Sequence, residues 1–141
     1  MILIDTNIIS EIMSQSPEPN VINWINNQDS LILFVSTITI AEINYGLRIM
    51  PDGQRKKLLT ERFTYFITKA FEQRILSFNE DAANHYAEIM AHKKEIGRPM
   101  SIPDGQIAAV ARSNELSIAT RNTRDFDECG IILINPFNEI G

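Results

Sequence analysis

Short apolar runs of strand length alternate with amphipathic segments along the 141 residues of the chain. The apolar runs predict buried strands at residues 2–4, 31–35, 75–78, 117–120 and 131–134. The helical spacing of other apolar side chains predicts helices at residues 6–13, 21–25, 40–50, 54–73, 80–96 and 103–116. Strands that alternate with helices form a mostly parallel sheet with helices on both faces. We therefore predict one α/β domain over residues 1–141, a length that one hydrophobic core can serve.

Four acidic residues fall near predicted junctions between strands and helices. Asp5 follows the first strand, Glu42 lies in the first turn of the helix after the second strand, Asp104 lies in the first turn of the 103–116 helix, and Asp125 follows the fourth strand. In an open α/β sheet, ligands bind beyond the carboxyl ends of the strands, so these acids can share one edge. Several carboxylates at one point cannot all stay ionised without a cation, and Mg²⁺ or Mn²⁺ prefers oxygen ligands. The pattern predicts a metal-dependent phosphodiesterase.

Helix capping is the alternative role for each of these acids. Residues 5–7 are Asp, Thr and Asn, all of which are favourable N-cap residues. Segment 39–42 has the spacing of a capping box, with its glutamate reaching back to the backbone of its first residue. Segment 101–104 repeats that spacing, with proline at the first helical position. Capping explains each acid alone, but it does not predict the four acids together in this order. Their combination therefore favours a metal site.

The net charge of the chain is −5, which gives no overall basic footprint for a nucleic acid. A prediction that the chain binds RNA has to explain this negative charge, because RNA binding usually depends on lysine and arginine side chains that contact phosphates. Basic residues do cluster locally, at 55–57, 62, 93–94 and 98. They predict either a positive rim or, more economically, the solvated faces of two helices.

The compartment is indicated by cysteine content and by the N-terminus. Cys129 is the one cysteine, so an internal disulfide is excluded and a reducing compartment is favoured. Asp5 and Glu11 interrupt the opening apolar run, and we expect no signal peptide. No apolar run approaches the ~20 residues of a membrane helix. We therefore expect a cytoplasmic protein without a membrane segment.

Four segments of the chain together resemble the motifs of a known family. They are residues 2–7 (ILIDTN), 36–42 (STITIAE), 103–109 (PDGQIAA) and 120–126 (TRNTRDF). In this order they resemble the four motifs of PIN-domain nucleases and, more narrowly, the VapC and FitB-type toxins of bacterial type II toxin–antitoxin modules. The resemblance implies an α/β/α sandwich with a central parallel sheet. It also implies a Mg²⁺- or Mn²⁺-dependent endoribonuclease that cuts RNA, forms a homodimer and is held inactive by a cognate antitoxin.

The resemblance also assigns roles to individual residues. It implies that Asp5, Glu42 and Asp104 form the metal site, while Thr6 and Asn7 orient the first acid. We expect Asp5 and Asp104 to hold an ion that activates water for in-line attack on a phosphodiester. Glu42 ligates the same ion, directly or through water, and can accept a proton.

The fourth motif departs from the family pattern. Many members carry an acid where this chain has Asn122, which offers a carbonyl oxygen or positions water but brings no charge. Asp125, three residues later, is the other candidate for this position. We prefer one tightly held ion, with a second arriving with the substrate phosphate. Arg121 and Arg124 are candidates for phosphate contacts, and the alternative for both is a solvated surface charge.

Other classes of protein fit the sequence less well than the nuclease. A signalling receiver domain has an acid pair after its first strand and a late lysine, whereas Asp5 stands alone and no lysine follows Lys94. A haloacid-dehalogenase phosphatase has an aspartate where this chain has Asn7. A catalytically silent PIN-like module that binds metal or a partner stays open because of Asn122. For an antitoxin, we expect an apolar groove formed in part by the helices at 21–25 and 40–50.

Overall fold

The computed structural model describes residues 1–138, and within that range five parallel strands form one sheet in the order β3-β2-β1-β4-β5. The strands are β1 (Ile2–Ile4), β2 (Leu33–Ser36), β3 (Ile75–Leu76), β4 (Ser117–Ala119) and β5 (Leu133–Ile134). The α-helices are α1 (Thr6–Met13), α2 (Pro19–Asn26), α3 (Thr37–Ile49), α4 (Gln54–Tyr65), α5 (Glu80–Glu95) and α6 (Ile102–Ser113). The predicted α/β class and the parallel sheet are confirmed.

The central strand β1 divides the apolar core into two layers. Ile2 and Ile4 point into a core that α1, α2, α3 and α4 complete, and Leu3 points into a core that α5 and α6 complete. This alternation follows from the period of two along a strand and explains why all three residues of β1 are buried. The chain runs outward from β1 through β2 to β3 and then returns to the other side of β1 through β4. The order of the strands therefore reverses at β1, and the crevice expected for a ligand lies at its carboxyl end.

A glycine lets the two helices of the second core pack closely. A Cβ atom at Gly105 would overlap the Met90 sulfur and lie 3.1 Å from the Tyr86 ring. Gly105 is in the first turns of α6, directly after Asp104, while Met90 and Tyr86 lie on α5. The absence of a side chain at Gly105 thus allows α5 to lie against the start of α6, where Asp104 is placed.

Helix α3 begins three residues earlier than the sequence predicts. The Ser36 hydroxyl accepts a hydrogen bond from the Thr39 backbone N–H at 3.2 Å, so Ser36 is the N-cap and the helix starts at Thr37. The first residues of the helix, 37–40, are all β-branched, and their weak helix propensity favours a later helix start. The Ser36 cap offsets this preference. The capping box assigned to residues 39–42 is therefore wrong, and Glu42 lies in the second turn of the helix.

Helix α4 does not continue to residue 73 as predicted. It changes into a π-helical turn at Phe66–Ala70, closed by a hydrogen bond from the Phe71 N–H to the Phe66 carbonyl at 3.2 Å. The hydroxyls of Thr64 and Thr68 donate to the carbonyls four residues earlier, at 2.8 Å each. Such bonds compete with the backbone ladder and often bend a helix.

The other element boundaries differ by a few residues at their ends. Residues Ser30–Ile32 form a 3-10 turn before β2, and α6 ends at Ser113 because Glu115 adopts a left-handed conformation (φ 57°). Pro103 stands at the second position of α6 and not at the first, since Ser101 is the N-cap. In the part of the chain that the structure describes, no helix is both long and apolar enough to span a membrane.

Candidate active site

Asp5 is a buried carboxylate at the carboxyl end of β1. Its side chain is 3% exposed and caps α1 by accepting a hydrogen bond from the Thr6 backbone N–H at 2.8 Å. The pKa of Asp5 is raised to about 6, chiefly by burial and to a smaller extent by the charges of Asp104 and Glu42, while the hydrogen bonds from Thr120 and Thr6 act to lower it. The capping role and the site role thus coincide in one residue. Burial and the neighbouring charges destabilise the ionised carboxylate of Asp5, and a cation bound nearby would stabilise it.

Thr120 connects Asp5 to the loop after β4. Its buried hydroxyl donates to Asp5 Oδ2 at 2.7 Å and accepts from Asn7 Nδ2 at 3.3 Å and from the Asn122 backbone N–H at 3.0 Å. Asn7 also accepts a hydrogen bond from the Arg121 backbone N–H at 3.2 Å. Every hydrogen-bonding position of the Thr120 hydroxyl is therefore used. Asn7 acts on Asp5 through Thr120, which refines the orienting role that the resemblance implied.

A chain of hydroxyl groups fixes Glu42. The Thr6 hydroxyl donates to Glu42 Oε1 at 2.7 Å and lies 2.9 Å from the Thr39 hydroxyl, which in turn is 3.5 Å from Ser36 Oγ. Since the single proton of Thr6 goes to Glu42, the Thr39 hydroxyl donates to Thr6. The side chain of Glu42 is exposed and oriented toward α1 by this chain. Glu42 therefore makes contact with the Asp5 motif and not with the Thr39 backbone.

Asp104 lies in the first turn of α6, as predicted. Ser101 caps the helix by accepting a hydrogen bond from the Asp104 backbone N–H at 3.3 Å. Partial burial raises the pKa of the Asp104 carboxyl, and the charges of Asp125 and Glu42 raise it further, while a hydrogen bond with the Ser101 side chain lowers it. The pKa shifts of Asp5 and Asp104 share Glu42 as a cause. The three acids predicted for the site therefore influence one another electrostatically.

An open cleft of about 430 Å³ joins these residues. Its walls are formed by carboxylates, hydroxyls and amides: Asp5, Glu11, Glu42, Asp104, Thr6, Ser10, Ser14, Asn7 and Asn122. These oxygen donors suit a hard divalent cation, and no basic side chain of residues 1–138 lines this cleft. Within residues 1–138, no group of three acidic, histidine or cysteine side chains stands close enough to hold an ion as placed. The acids surround the cleft without forming a finished coordination shell.

The two candidates for the fourth position lie on different sides of Asp104. Asn122 lines the acidic cleft, whereas Asp125 lines a neighbouring cavity of about 270 Å³ together with Asp104. Asp125 still acts on Asp104 through its charge. The structure therefore brings Asn122 to the same cleft as Asp5 and Glu42, while Asp125 approaches Asp104 from the other side.

The two arginines proposed for phosphate contacts lie in different surroundings. The Arg121 guanidinium lies over the ring of Phe137, 4.5 Å from its centroid, in cation–π contact. Arg124 lines the same cavity as Asp125. Of the two side chains, that of Arg124 lines a cavity that Asp104 also lines.

Sequence reasoning missed two groups that build the site. The pattern indicates Thr120 only as the last residue of a strand, and Ser36 with Thr39 only as a helix start, although all three are buried polar residues. A buried hydroxyl needs a hydrogen-bond partner, and here the partners are the site residues. The signals in the sequence were a hydroxyl residue at the carboxyl end of each of the two strands that flank β1, and the places of Ser36 and Thr120 at the start of the 36–42 and 120–126 motifs.

Comparisons with known proteins agree with this geometry. A family model described as PIN domain matches residues 2–131. Toxin FitB of Neisseria gonorrhoeae is 39% identical over 142 residues, covering 99% of this chain and 100% of FitB. A VapC ribonuclease of Sinorhizobium fredii is 39% identical over 137 residues, covering 97% of this chain and 98% of the relative. The crystal structure of FitAcB from Neisseria gonorrhoeae superimposes with a TM-score of 0.93 at 36% identity, covering 99% of this chain and 100% of that one. The chain therefore belongs to the PIN domain family, in the group that includes the VapC and FitB proteins.

Proposed function

We propose that this protein is a metal-dependent endoribonuclease that acts as the toxin of a type II toxin–antitoxin module. The observation that carries the proposal is the gathering of Asp5, Glu42 and Asp104 around one cleft lined by oxygen donors. The pKa of two of these acids is raised by burial and by their neighbours, as expected where a cation is to be bound. The names of the relatives, a VapC ribonuclease and a toxin, support RNA as the substrate and toxicity as the role.

Asp5 and Asp104 would hold a Mg²⁺ or Mn²⁺ ion, with Glu42 as a direct or water-mediated ligand. When bound, such an ion lowers the pKa of its water toward neutrality and stabilises charge on a phosphodiester. We favour one tightly held ion, joined by a second that arrives with the substrate phosphate. Either ion would relieve the repulsion between the acids of the cleft.

The residues of the chain itself supply orientation and proton transfer. Thr120 and the Thr6 N–H hold the two oxygens of Asp5, so its carboxylate keeps one orientation. Glu42, exposed and held by the Thr6 hydroxyl, has a second oxygen that can accept a proton from an attacking water. Asn122 presents an amide at the same cleft, where it can position water or a phosphate oxygen.

An apolar groove adjoins the acidic cleft and suits the proposed antitoxin. It has a volume of about 320 Å³ and shares Thr6, Ser10, Ser14 and Glu42 with the cleft. Its apolar wall is formed by residues of α1, α3 and α4 and by the C-cap of α3: Met13, Ile43, Leu47, Leu59 and Met50. A helical segment in this groove would reach the acids directly. We thus place the antitoxin on α3, as the sequence predicted, and on α4, whereas Val21 and Trp24 of α2 belong to the core.

Homodimerisation and a cytoplasmic location remain part of the proposal. Exposed apolar side chains on α3 and α4, namely Tyr45, Ile49, Leu58 and Tyr65, offer surface for a second copy or for the antitoxin. The toxin role requires access to cellular RNA, and the one cysteine of the chain is a buried free thiol that suits a reducing compartment.

The test is cleavage of a mixed RNA pool by antitoxin-free protein in Mg²⁺ or Mn²⁺, with EDTA as the metal-free comparison. We expect cutting that needs the metal and is lost in Asp104→Asn. Asp52→Asn is the matched control, because it makes the same change at a side chain that is 99% exposed. Cutting in EDTA would contradict metal dependence. No cutting by folded wild type that still binds the metal would favour the silent PIN-like module.

A further inference from the structure

A buried lysine lies beside the candidate site without a carboxylate in contact. Lys93 on α5 is 2% exposed, and its ammonium donates to the Asp127 backbone carbonyl at 2.9 Å. Within residues 1–138, no ion pair includes Lys93. An ammonium has three donors, so one bond to a carbonyl leaves it incompletely satisfied. Burial of a charge is costly unless the charge is paired, so the surroundings of Lys93 need an explanation.

Lys93 lines the cavity of about 270 Å³ on the far side of Asp104. Arg98 and Arg124 line the same cavity, and Asp104 and Asp125 complete its charged wall. Arg98 donates to the Arg124 carbonyl at 3.0 Å and pairs with Asp127 at 3.4 Å, which holds the turn after β4 against the end of α5. The guanidinium of Arg124 is in none of the ion pairs found in residues 1–138. Three cations therefore converge on a space beside the acidic cleft.

We propose that Lys93, Arg98 and Arg124 form a subsite for a backbone phosphate of the RNA, next to the phosphate that is cut at the acidic cleft. The inference rests on the proposed function. A phosphate oxygen would take up the remaining donors of the lysine and pair with the free arginine. Asp104 belongs to both walls, so a polyanion with successive phosphates can occupy the two spaces together. The subsite also answers how a protein with a net charge of −5 binds RNA, since the positive charge is concentrated where the strand passes.

The test is the salt dependence of RNA binding. Short labelled single-stranded RNAs of mixed sequence are titrated with protein in Ca²⁺ at several salt concentrations, and their integrity is checked on a gel. Loss of one phosphate contact makes the slope of log K against log salt shallower by about 0.7 for single strands. We expect this change for Lys93→Met, which keeps the buried stem and removes the charge. The matched control is Lys94→Met, the same substitution at the exposed neighbour on α5, for which the slope stays as in wild type.

Thermal unfolding separates this role from a structural one. Lys93→Met removes the hydrogen bond to the Asp127 carbonyl, but it also removes the cost of burying a charge that has no carboxylate partner, and the second effect offsets the first. We expect Lys93→Met to melt no lower than wild type. A lower melting temperature with an unchanged salt slope would mean that Lys93 only ties α5 to residue 127, and it would overturn the subsite.

Arg124→Gln tests the same cavity if Lys93→Met does not fold, because Arg124 is exposed. Its slope is also expected to become shallower than that of wild type and of the Lys94→Met control. Wild type that binds no RNA, or an unchanged slope in both cavity variants, overturns the subsite even if cleavage is observed. Weaker inhibition by the antitoxin with an unchanged slope would assign the cavity to a protein carboxylate, which also overturns it. RNA that is bound with the expected slopes but never cut would refute the nuclease and leave the subsite standing.

Discussion

The acidic cleft and the basic cavity lie on either side of Asp104 and have opposite electrostatic character. Carboxylates and hydroxyls from α1, α3 and α6 line the cleft, and the pKa of Asp5 is raised mainly by burial and to a smaller extent by the charges of Asp104 and Glu42. Lys93 and two arginines from the end of α5 and the turn after β4 line the cavity. A cation suits the first space and an anion suits the second. The difference suggests a division of labour in which one side of Asp104 performs the chemistry and the other holds the RNA.

The largest effect is expected from a neutral substitution in the acidic cleft. Glu42→Gln keeps an oxygen for the Thr6 hydroxyl but removes the charge that would face the metal and accept a proton. We expect RNA cleavage to fall by at least about 100-fold, mostly in kcat, because ligand and proton acceptor are lost together. The measurement is steady-state cleavage of a defined RNA in Mg²⁺.

Arg124→Gln is the counterpart from the basic cavity. We expect it to raise KM with little change in kcat, because it would weaken ground-state binding of the RNA. If both substitutions lowered kcat alone, the division of labour between the two spaces would be wrong.

Asp5→Asn is expected to change the stability of the metal-free protein. An acid whose pKa rises from an ordinary value of 3.8 to about 6 on folding holds a proton in the folded state that the unfolded state has released. Stability therefore falls as pH increases from below 3.8 through 6, by about 3 kcal/mol at about 1.4 kcal/mol per pKa unit. The variant lacks this contribution, so its free energy of unfolding should decline less than that of wild type between about pH 4 and about pH 7.

Urea unfolding in EDTA across this pH range measures the difference. Asp104 contributes in the same direction and is present in both proteins, so the difference between them reports Asp5 together with its repulsion from Asp104. Asp52→Asn, at a fully solvated carboxylate, should parallel wild type. Parallel curves for wild type and Asp5→Asn would show that Asp5 is not destabilised in the folded state.

Removing the Thr120 hydroxyl is expected to weaken metal binding, although by less than the removal of an acid. Thr120→Val keeps the shape of the side chain and removes the donor to Asp5 Oδ2 together with the acceptor for Asn7 and for the Asn122 N–H. We expect affinity for Mn²⁺ to fall by about 10-fold or more, as is usual when the group orienting a metal ligand is removed. Thr120→Ser retains the hydroxyl and should bind Mn²⁺ nearly as wild type does. Equal loss in both variants would point to packing and not to the hydrogen bond.

The fold was predictable because its signals are local. The apolar run at residues 2–4 and the spacing in α1 depend only on neighbours in sequence, and both elements lie at the predicted residues. Errors arose where a side chain competes with the backbone. The Ser36 hydroxyl moved the start of α3, and the hydroxyls of Thr64 and Thr68 accompany the π-turn that ends α4. Such competition depends on side-chain geometry that no periodicity reveals.

The site was predictable in its acids and not in its surroundings. Asp5 and Asp104 were recognisable because each follows a strand or starts a helix at the edge where ligands bind. The contacts that orient them join residues far apart in sequence, such as Thr120 with Asp5 and Thr6 with Glu42. The sequence pattern assigns Lys93 to a solvated helix face, because a buried and an exposed lysine look alike in a sequence.

The smallest effects are expected from two substitutions in the fourth motif. They compare the two spaces directly, because Asn122 lines the acidic cleft and Asp125 lines the basic cavity. Asn122→Asp adds a carboxylate to the acidic cleft and should tighten Mn²⁺ binding by about two- to fivefold, the scale of an exposed charge pair. Asp125→Asn removes a carboxylate from the basic cavity and should strengthen RNA binding by a similar factor, while Mn²⁺ affinity changes less, because Asp125 acts on Asp104 only through its charge. Calorimetry with Mn²⁺ and RNA titrations in Ca²⁺ measure the two affinities independently. If Asp125→Asn instead weakens Mn²⁺ binding as strongly as Glu42→Gln does, Asp125 is the fourth ligand and Asp104 no longer separates the two spaces.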